Sequence, residues 1–126
     1  MIALGIGLAA LSAFMLSFVF YAVVPAHPAA TDSSEAAAAK FGPAQIIVEV
    51  LRNITTAALV TGLMMAAGWH GIGAGVLLGL ALFILPVVLL TGSVVHERVP
   101  MRTAATHALD WLIKLAAVGA IVGIFA

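Results

Sequence analysis

Four ionisable residues lie in stretches of this sequence too apolar to hold them cheaply: Glu49, Arg52, Asp110 and Lys114. At a bilayer centre such a side chain costs at least ~2.5–3.5 kcal/mol, so it normally faces a bundle interior or a wet cavity. Their spacing is ordered. Gln45, Glu49, Arg52 and Thr56 follow a 4-3-4 interval with Asn53 beside them, and Thr103, His107, Asp110 and Lys114 repeat that interval. At ~100° per residue each set occupies about 60° of a helix surface. Each carries one acid and one base, so each stripe is neutral in itself. Carboxylates held beside cations away from water can bind an ion or a small polar ligand, or pass on a proton. Tyr21 and His107 add two further groups able to donate and accept protons.

The elements that must position these residues follow from composition. The chain has 126 residues, of which 64% are hydrophobic and 8% charged, with five Lys/Arg against five Asp/Glu. Soluble domains are about 45–50% apolar and about 25% charged, and a chain this short could not hide such an apolar excess in one core. A zero net charge also argues against a nucleic-acid binder. A membrane helix needs roughly 20 mostly apolar residues, and four stretches qualify: 2–24, 44–68, 72–92 and 104–125. These predict an all-α, four-helix transmembrane bundle forming one integral membrane domain over 1–126, with the lipid bilayer as its surroundings. The first stretch reads as a retained helix, since no Lys or Arg precedes it and its apolar run exceeds the ~7–15 residues of a signal peptide.

Three connections join the spans. The long one, 25–43, contains Thr31-Asp32-Ser33-Ser34 and an Ala-rich run from Glu35 to Lys40 before Gly42-Pro43, which predicts a short helix of two turns. Gly68-Trp69-His70-Gly71 is a tight turn, and 93–102 carries His96-Glu97-Arg98 and Pro100. Lys40, Arg98 and Arg102 all fall in the first and third loops, which the positive-inside tendency places in the cytoplasm, with both termini outside. At ~1.5 Å per residue, Glu49 and Arg52 then lie roughly 8–12 Å below that surface, and His107 and Asp110 roughly 5–10 Å below it. Ser17 and Tyr21 of the first span reach the same layer, so three helices contribute polar groups to one half of the bundle.

The other half is rich in small residues at intervals of four. Gly5, Ala9 and Ala13 form one row, Ala58, Gly62 and Ala66 another, Gly71, Gly75 and Gly79 a third, and Gly119 and Gly123 a fourth. Such rows let helices approach closely in lipid, while Pro86 should bend the third helix. The expected shape is a funnel, tight outside and splayed toward the cytoplasm. Trp69 reads as an interface anchor and Trp111 as a packing residue.

Other chemistry finds little support. The chain has no cysteine, so thiolate sites are excluded. His107 alone among the four histidines lies inside a span, which argues against a haem or zinc site, and no metal or cofactor is expected. No serine occupies a nucleophile-elbow pattern, and the glycines of the third span follow no strand, so a phosphate loop is excluded. With no catalytic residues apparent, a membrane enzyme is disfavoured.

The order of these features resembles a known family. An aromatic pair closes the first span (Phe20-Tyr21), a polar loop follows, then a tight hairpin, then His96-Glu97-Arg98-Val99-Pro100 and an early histidine in the last span, His107. This resembles the small four-helix bacterial membrane proteins of domain of unknown function 1761. The chain departs from that pattern in having Phe20 where Trp is usual and Arg98 where the loop motif carries Gly. The resemblance implies four spans in a bacterial inner membrane, and no assigned activity or catalytic residues.

Two functions are compatible with the residues. One is a binding or transport module whose cytoplasm-facing vestibule is made by Tyr21, Glu49, Arg52, Asn53, His107, Asp110 and Lys114. Glu49 and Asp110 would then couple to a proton or cation, and a homodimer is expected because four spans are few for a complete pathway. The other is an accessory subunit of a membrane complex, in which the acid–base pairs only fix helix pairing and register.

Overall fold

A computed structural model of the chain describes residues 1–23 and 42–126. The short helix expected within 25–43 lies outside the described residues. Helix α1, Ile2–Val23, is apolar around its whole circumference, as suits a span that meets lipid on one side and small-residue packing on the other. Helix α2, Pro43–Ala67, starts on a proline, whose missing N–H belongs to the first turn that has no intrahelical partner in any case. It ends at Gly68, whose φ of +66° is open to glycine at little cost. There the Trp69 amide donates to the Met64 carbonyl at 2.9 Å and the Gly68 amide to Met65 at 3.2 Å, closing the helix end.

The third span is two helices, α3, Ile72–Leu82, and α4, Ile84–His96, separated at Phe83. Pro86 explains the break: it offers no N–H to the Leu82 carbonyl four residues back, and its ring crowds that turn. Helix α5, Met101–Phe125, completes the chain. Four helical stretches, Ile2–Val23, Pro43–Ala67, Ile72–His96 and Met101–Phe125, are long and apolar enough to cross a membrane.

Two boundaries differ from the sequence expectation. The third span continues to His96 rather than ending at residue 92, and the fourth begins at Met101 rather than 104, so the loop between them shrinks to 97–100. His96 is thus the last residue of α4, not a loop residue. The Ser93 carbonyl accepts the amides of Glu97 (3.0 Å) and Val99 (3.2 Å), which holds this turn tight. Arg98 sits between them at φ +58°. An L-residue pays for that left-handed conformation and glycine does not, which gives a physical reason for Gly at this place in the motif that the chain resembles.

Helix α5 occupies the middle of the bundle, with α1 and α2 against one side and α3 against the other. Ala9, Ala10 and Ala13 of α1, Ala57, Val60 and Met64 of α2, and Val118 and Val122 of α5 form the core. On the opposite side α3 and α5 meet backbone to backbone. A Cβ at Gly75 would run into the Gly119 carbonyl, one at Gly79 into the Leu115 carbonyl, one at Gly119 into the Gly75 carbonyl, and one at Gly123 into the Gly71 carbonyl. The Gly71 amide donates to the Gly123 carbonyl at 3.1 Å, fastening the hairpin turn to the end of the last helix. Such closeness maximises dispersion contacts where lipid supplies no hydrophobic drive between helices.

The row Ala58, Gly62 and Ala66 does not pack: these residues are exposed, and a Cβ at Gly62 would meet open space. The inward face of α2 runs instead through Asn53, Ala57, Val60, Thr61 and Met64. The larger side chains of that line fill the gap between α1 and α5, and the small residues are left facing outward. Apolar side chains cover the outside, among them Leu4, Leu8, Leu11 and Met15 on α1 and Ile84, Leu85, Val88 and Leu89 on α4. These residues suit acyl chains and would be unsuited to water.

Candidate functional site

The polar residues gather between α1, α2 and α5, in the half of the bundle nearest the first and third loops. A cavity of about 410 Å³ lies there, lined by residues including Ser17, Tyr21, Glu49, Arg52, His107, Asp110 and Lys114. Lys114 is its centre. Its ammonium donates to Glu49 Oε1 at 2.5 Å, across from α5 to α2, and lies 3.6 Å from Asp110 Oδ2 on its own helix. Lys114 begins about 20 Å along α5 from Met101 at ~1.5 Å per residue. Its side chain points back toward the helix N-terminus, as helix geometry directs, and so reaches carboxylates nearer the loops.

The remaining partners complete a continuous polar row. Arg52 Nη1 donates to Glu49 Oε2 at 3.0 Å, and Asn53 Nδ2 donates to Glu49 Oε1 at 3.4 Å. The Ser17 hydroxyl donates to Asp110 Oδ1 at 2.7 Å, tying α1 to α5. Closer to the loops, Tyr21 Oη and His107 Nδ1 are hydrogen-bonded at 2.6 Å. Among the described residues, every buried side-chain nitrogen and oxygen has a partner, as expected where an unpaired polar group would cost several kcal/mol.

All seven residues singled out from sequence lie in this region, although Asn53 touches Glu49 without lining the cavity. One detail of that reading needs correcting and another refining. The stripes are not two self-contained pairs, because the shortest bond of Lys114 crosses to Glu49. Arg52 lines the cavity from its rim: its side chain is 48% exposed, while neighbouring Asn53 is buried. A 60° arc defines a face without fixing its centre, and the centre passes through Asn53. Gln45 is exposed at the cavity mouth.

Trp111, read from sequence as a packing residue, and four apolar residues given no role there also contribute. Phe14, Phe18, Ile46, Val48 and Trp111 form apolar walls. The Trp111 ring lies 5.2 Å from Arg52 Cζ and 5.3 Å from Lys114 Nζ, within cation–π range of both. Its position next to Asp110 and three residues before Lys114 was a visible signal, since i and i+3 residues share a helix face. Ser17, already placed in this layer one turn before Tyr21, lines the cavity too.

A family model described as Protein of unknown function (DUF1761) matches residues 4–123. The chain belongs to the DUF1761 family. Comparisons with curated proteins and with solved structures find no match. The match to DUF1761 begins inside α1 and ends inside α5, so it takes in the close glycine contact of α3 with α5 and every residue of the polar row. In this DUF1761 protein no three His, Asp or Glu side chains converge on a possible metal position among the described residues. The groups gathered around the cavity are two carboxylates, two cations, a tyrosine–histidine pair and aromatic walls.

Proposed function

We propose that this DUF1761 protein is a small binding or transport module of the bacterial inner membrane, and that its cavity takes a small organic ion. The carrying observation is the cavity of about 410 Å³ that Lys114, Glu49 and Asp110 share. A ligand site needs both charge and room, and this cavity offers the two together. Apolar walls beside the charges suit a ligand with a hydrocarbon or aromatic part and one ionised group. Arg98 in the third loop and Arg102 in the first turn of α5 lie at the cavity end, which by the positive-inside tendency faces the cytoplasm and leaves the termini outside.

In this reading Glu49 and Asp110 carry the coupled proton or cation, Lys114 and Arg52 balance their charge, and a homodimer supplies the rest of the path. The Tyr21–His107 bond stands between this pair and the loop surface, a suitable place for a proton to pass. Glu49→Gln is expected to abolish proton-coupled flux in reconstituted vesicles, seen as loss of ligand-dependent internal pH change, while expression and helicity persist. Unchanged flux would remove Glu49 from this role.

A second reading has one observation in its favour: the buried polar atoms among the described residues are all satisfied within the chain. An accessory subunit of a membrane complex, with the charges serving as a clasp for α1, α2 and α5, would require that and no more. Replacing Glu49 and Arg52 together by Gln and Leu separates the two. A clasp tolerates the double change no worse than Glu49→Gln alone, because half-exposed Arg52 contributes little, and the host complex stays active.

A further inference from the structure

A second cavity, about 350 Å³, lies on the outer side of α2 and α5, lined by Val48, Leu51, Arg52, Thr55, Thr56 and Trp111. It shares Val48, Arg52 and Trp111 with the first cavity, so the Arg52–Trp111 pair is the wall between them. Around it the helix surface is apolar and exposed, with Ile47, Val48, Val50, Leu51 and Ile54 facing outward. A guanidinium that is half exposed among such residues stands in an expensive place, and an anionic group reaching it would relieve that expense. Glu49 engages Nη1, but its other oxygen is already shared by Lys114 and Asn53. Arg carries five N–H donors in a planar fork suited to phosphate.

Depth favours a lipid. Arg52 starts about 13 Å along α2 from Pro43 at ~1.5 Å per residue. Its side chain runs back toward the loops, as its bond to Glu49 three residues earlier requires. That brings the charge close beneath the headgroup layer, with Thr55 adding a hydroxyl on the same exposed side. Leu51, Val48 and the Trp111 ring provide apolar walls beside it.

We infer that this outer groove binds an anionic phospholipid from the leaflet on the side of the first and third loops, its phosphate on Arg52 and its acyl chain against Leu51 and Trp111. The groove lies on the outer side of the Arg52–Trp111 wall, and the inference stands whether or not the first cavity takes a ligand.

The chain has two tryptophans, so Trp69→Phe leaves Trp111 as the sole reporter. The full-length protein, reconstituted with brominated phosphatidylglycerol or brominated phosphatidylcholine of the same acyl chain, reports contact as quenching of Trp111. Phosphatidylglycerol is expected to quench with about fivefold higher apparent affinity, the worth of one basic side chain at an anionic lipid surface. Arg52→Gln removes the preference. Thr55→Phe, which fills the groove and spares the Arg52–Glu49 pair, removes it as well and decides the matter if Arg52→Gln does not fold. Equal quenching by both lipids, or a preference that survives in either variant, overturns the assignment. So does quenching by neither lipid, the result if a second copy of the chain covers the groove.

Discussion

Lys114→Met is expected to destabilise the protein by about 3–5 kcal/mol, the cost of breaking a buried ion pair by removing one partner. Lys114 is 3% exposed and is the cation that stands between Glu49 and Asp110. Methionine fills much the same volume, so packing is nearly preserved and the loss is electrostatic. Two carboxylates would then share one confined site, with Arg52 neutralising one of them from the rim. Adding Glu49→Gln and Asp110→Asn to Lys114→Met should restore most of the stability, because the unpaired charges are gone. Arg52→Ala is expected to cost less than about 1 kcal/mol, since its half-exposed pair with Glu49 is screened. Helicity followed through a denaturing-detergent titration distinguishes these variants. If Lys114→Met resists the detergent as well as the parent chain, the polar row does not hold the bundle together.

Gly75→Val is expected to be comparably damaging for a different reason. Overpacking ordinarily costs about 1–3 kcal/mol, and the upper end applies where the obstacle is backbone that cannot rotate away. At Gly75 the obstacle is the Gly119 carbonyl. The helices would have to separate, which would also loosen the nearby Gly71–Gly123 hydrogen bond. Gly62→Val is the matched control, because that glycine has open space around it; it should change stability by no more than about 0.5 kcal/mol. The same detergent titration reads both. Equal sensitivity of the two positions would mean that α3 and α5 are not in the close contact described.

How much of this was legible in the sequence depends on the physical signal involved. The four spans could be read because a bilayer imposes a length of apolar chain, and little else produces windows of twenty such residues. The polar row could be found because ionisable side chains in those windows are rare and were spaced to share a face. Finer features depend on tertiary packing. The periodicity of α2 fits an inward line through Arg52 and Thr56 nearly as well as one through Asn53 and Ala57. What α1 and α5 present to it decides between them.

The same limit explains the glycines. Gly62 and Gly75 belong to rows of identical spacing, yet one faces outward and the other touches backbone. Spacing reports that a close approach is permitted, and only the partner helix shows whether it occurs. The pairing of Lys114 with Glu49 was hidden because local sequence favours its i−4 neighbour Asp110. A long side chain directed toward the helix N-terminus has other carboxylates within reach. At Pro86 the sequence indicated a bend, and the break falls at Phe83, within the turn that the proline disrupts.

Whether the cavity is wet from the side of the first and third loops is the central question. With no native cysteine in the chain, Ser17→Cys places one small thiol on the cavity wall beside Asp110, and Val60→Cys places another in the fully buried core. Each is reconstituted in vesicles and treated, on one side at a time, with a charged thiol reagent that does not cross the bilayer. The expected result is rapid modification of Cys at position 17 from the loop side alone, with position 60 inert from either side. Position 17 as inert as position 60 would contradict a water-filled vestibule and leave the four charges as a clasp.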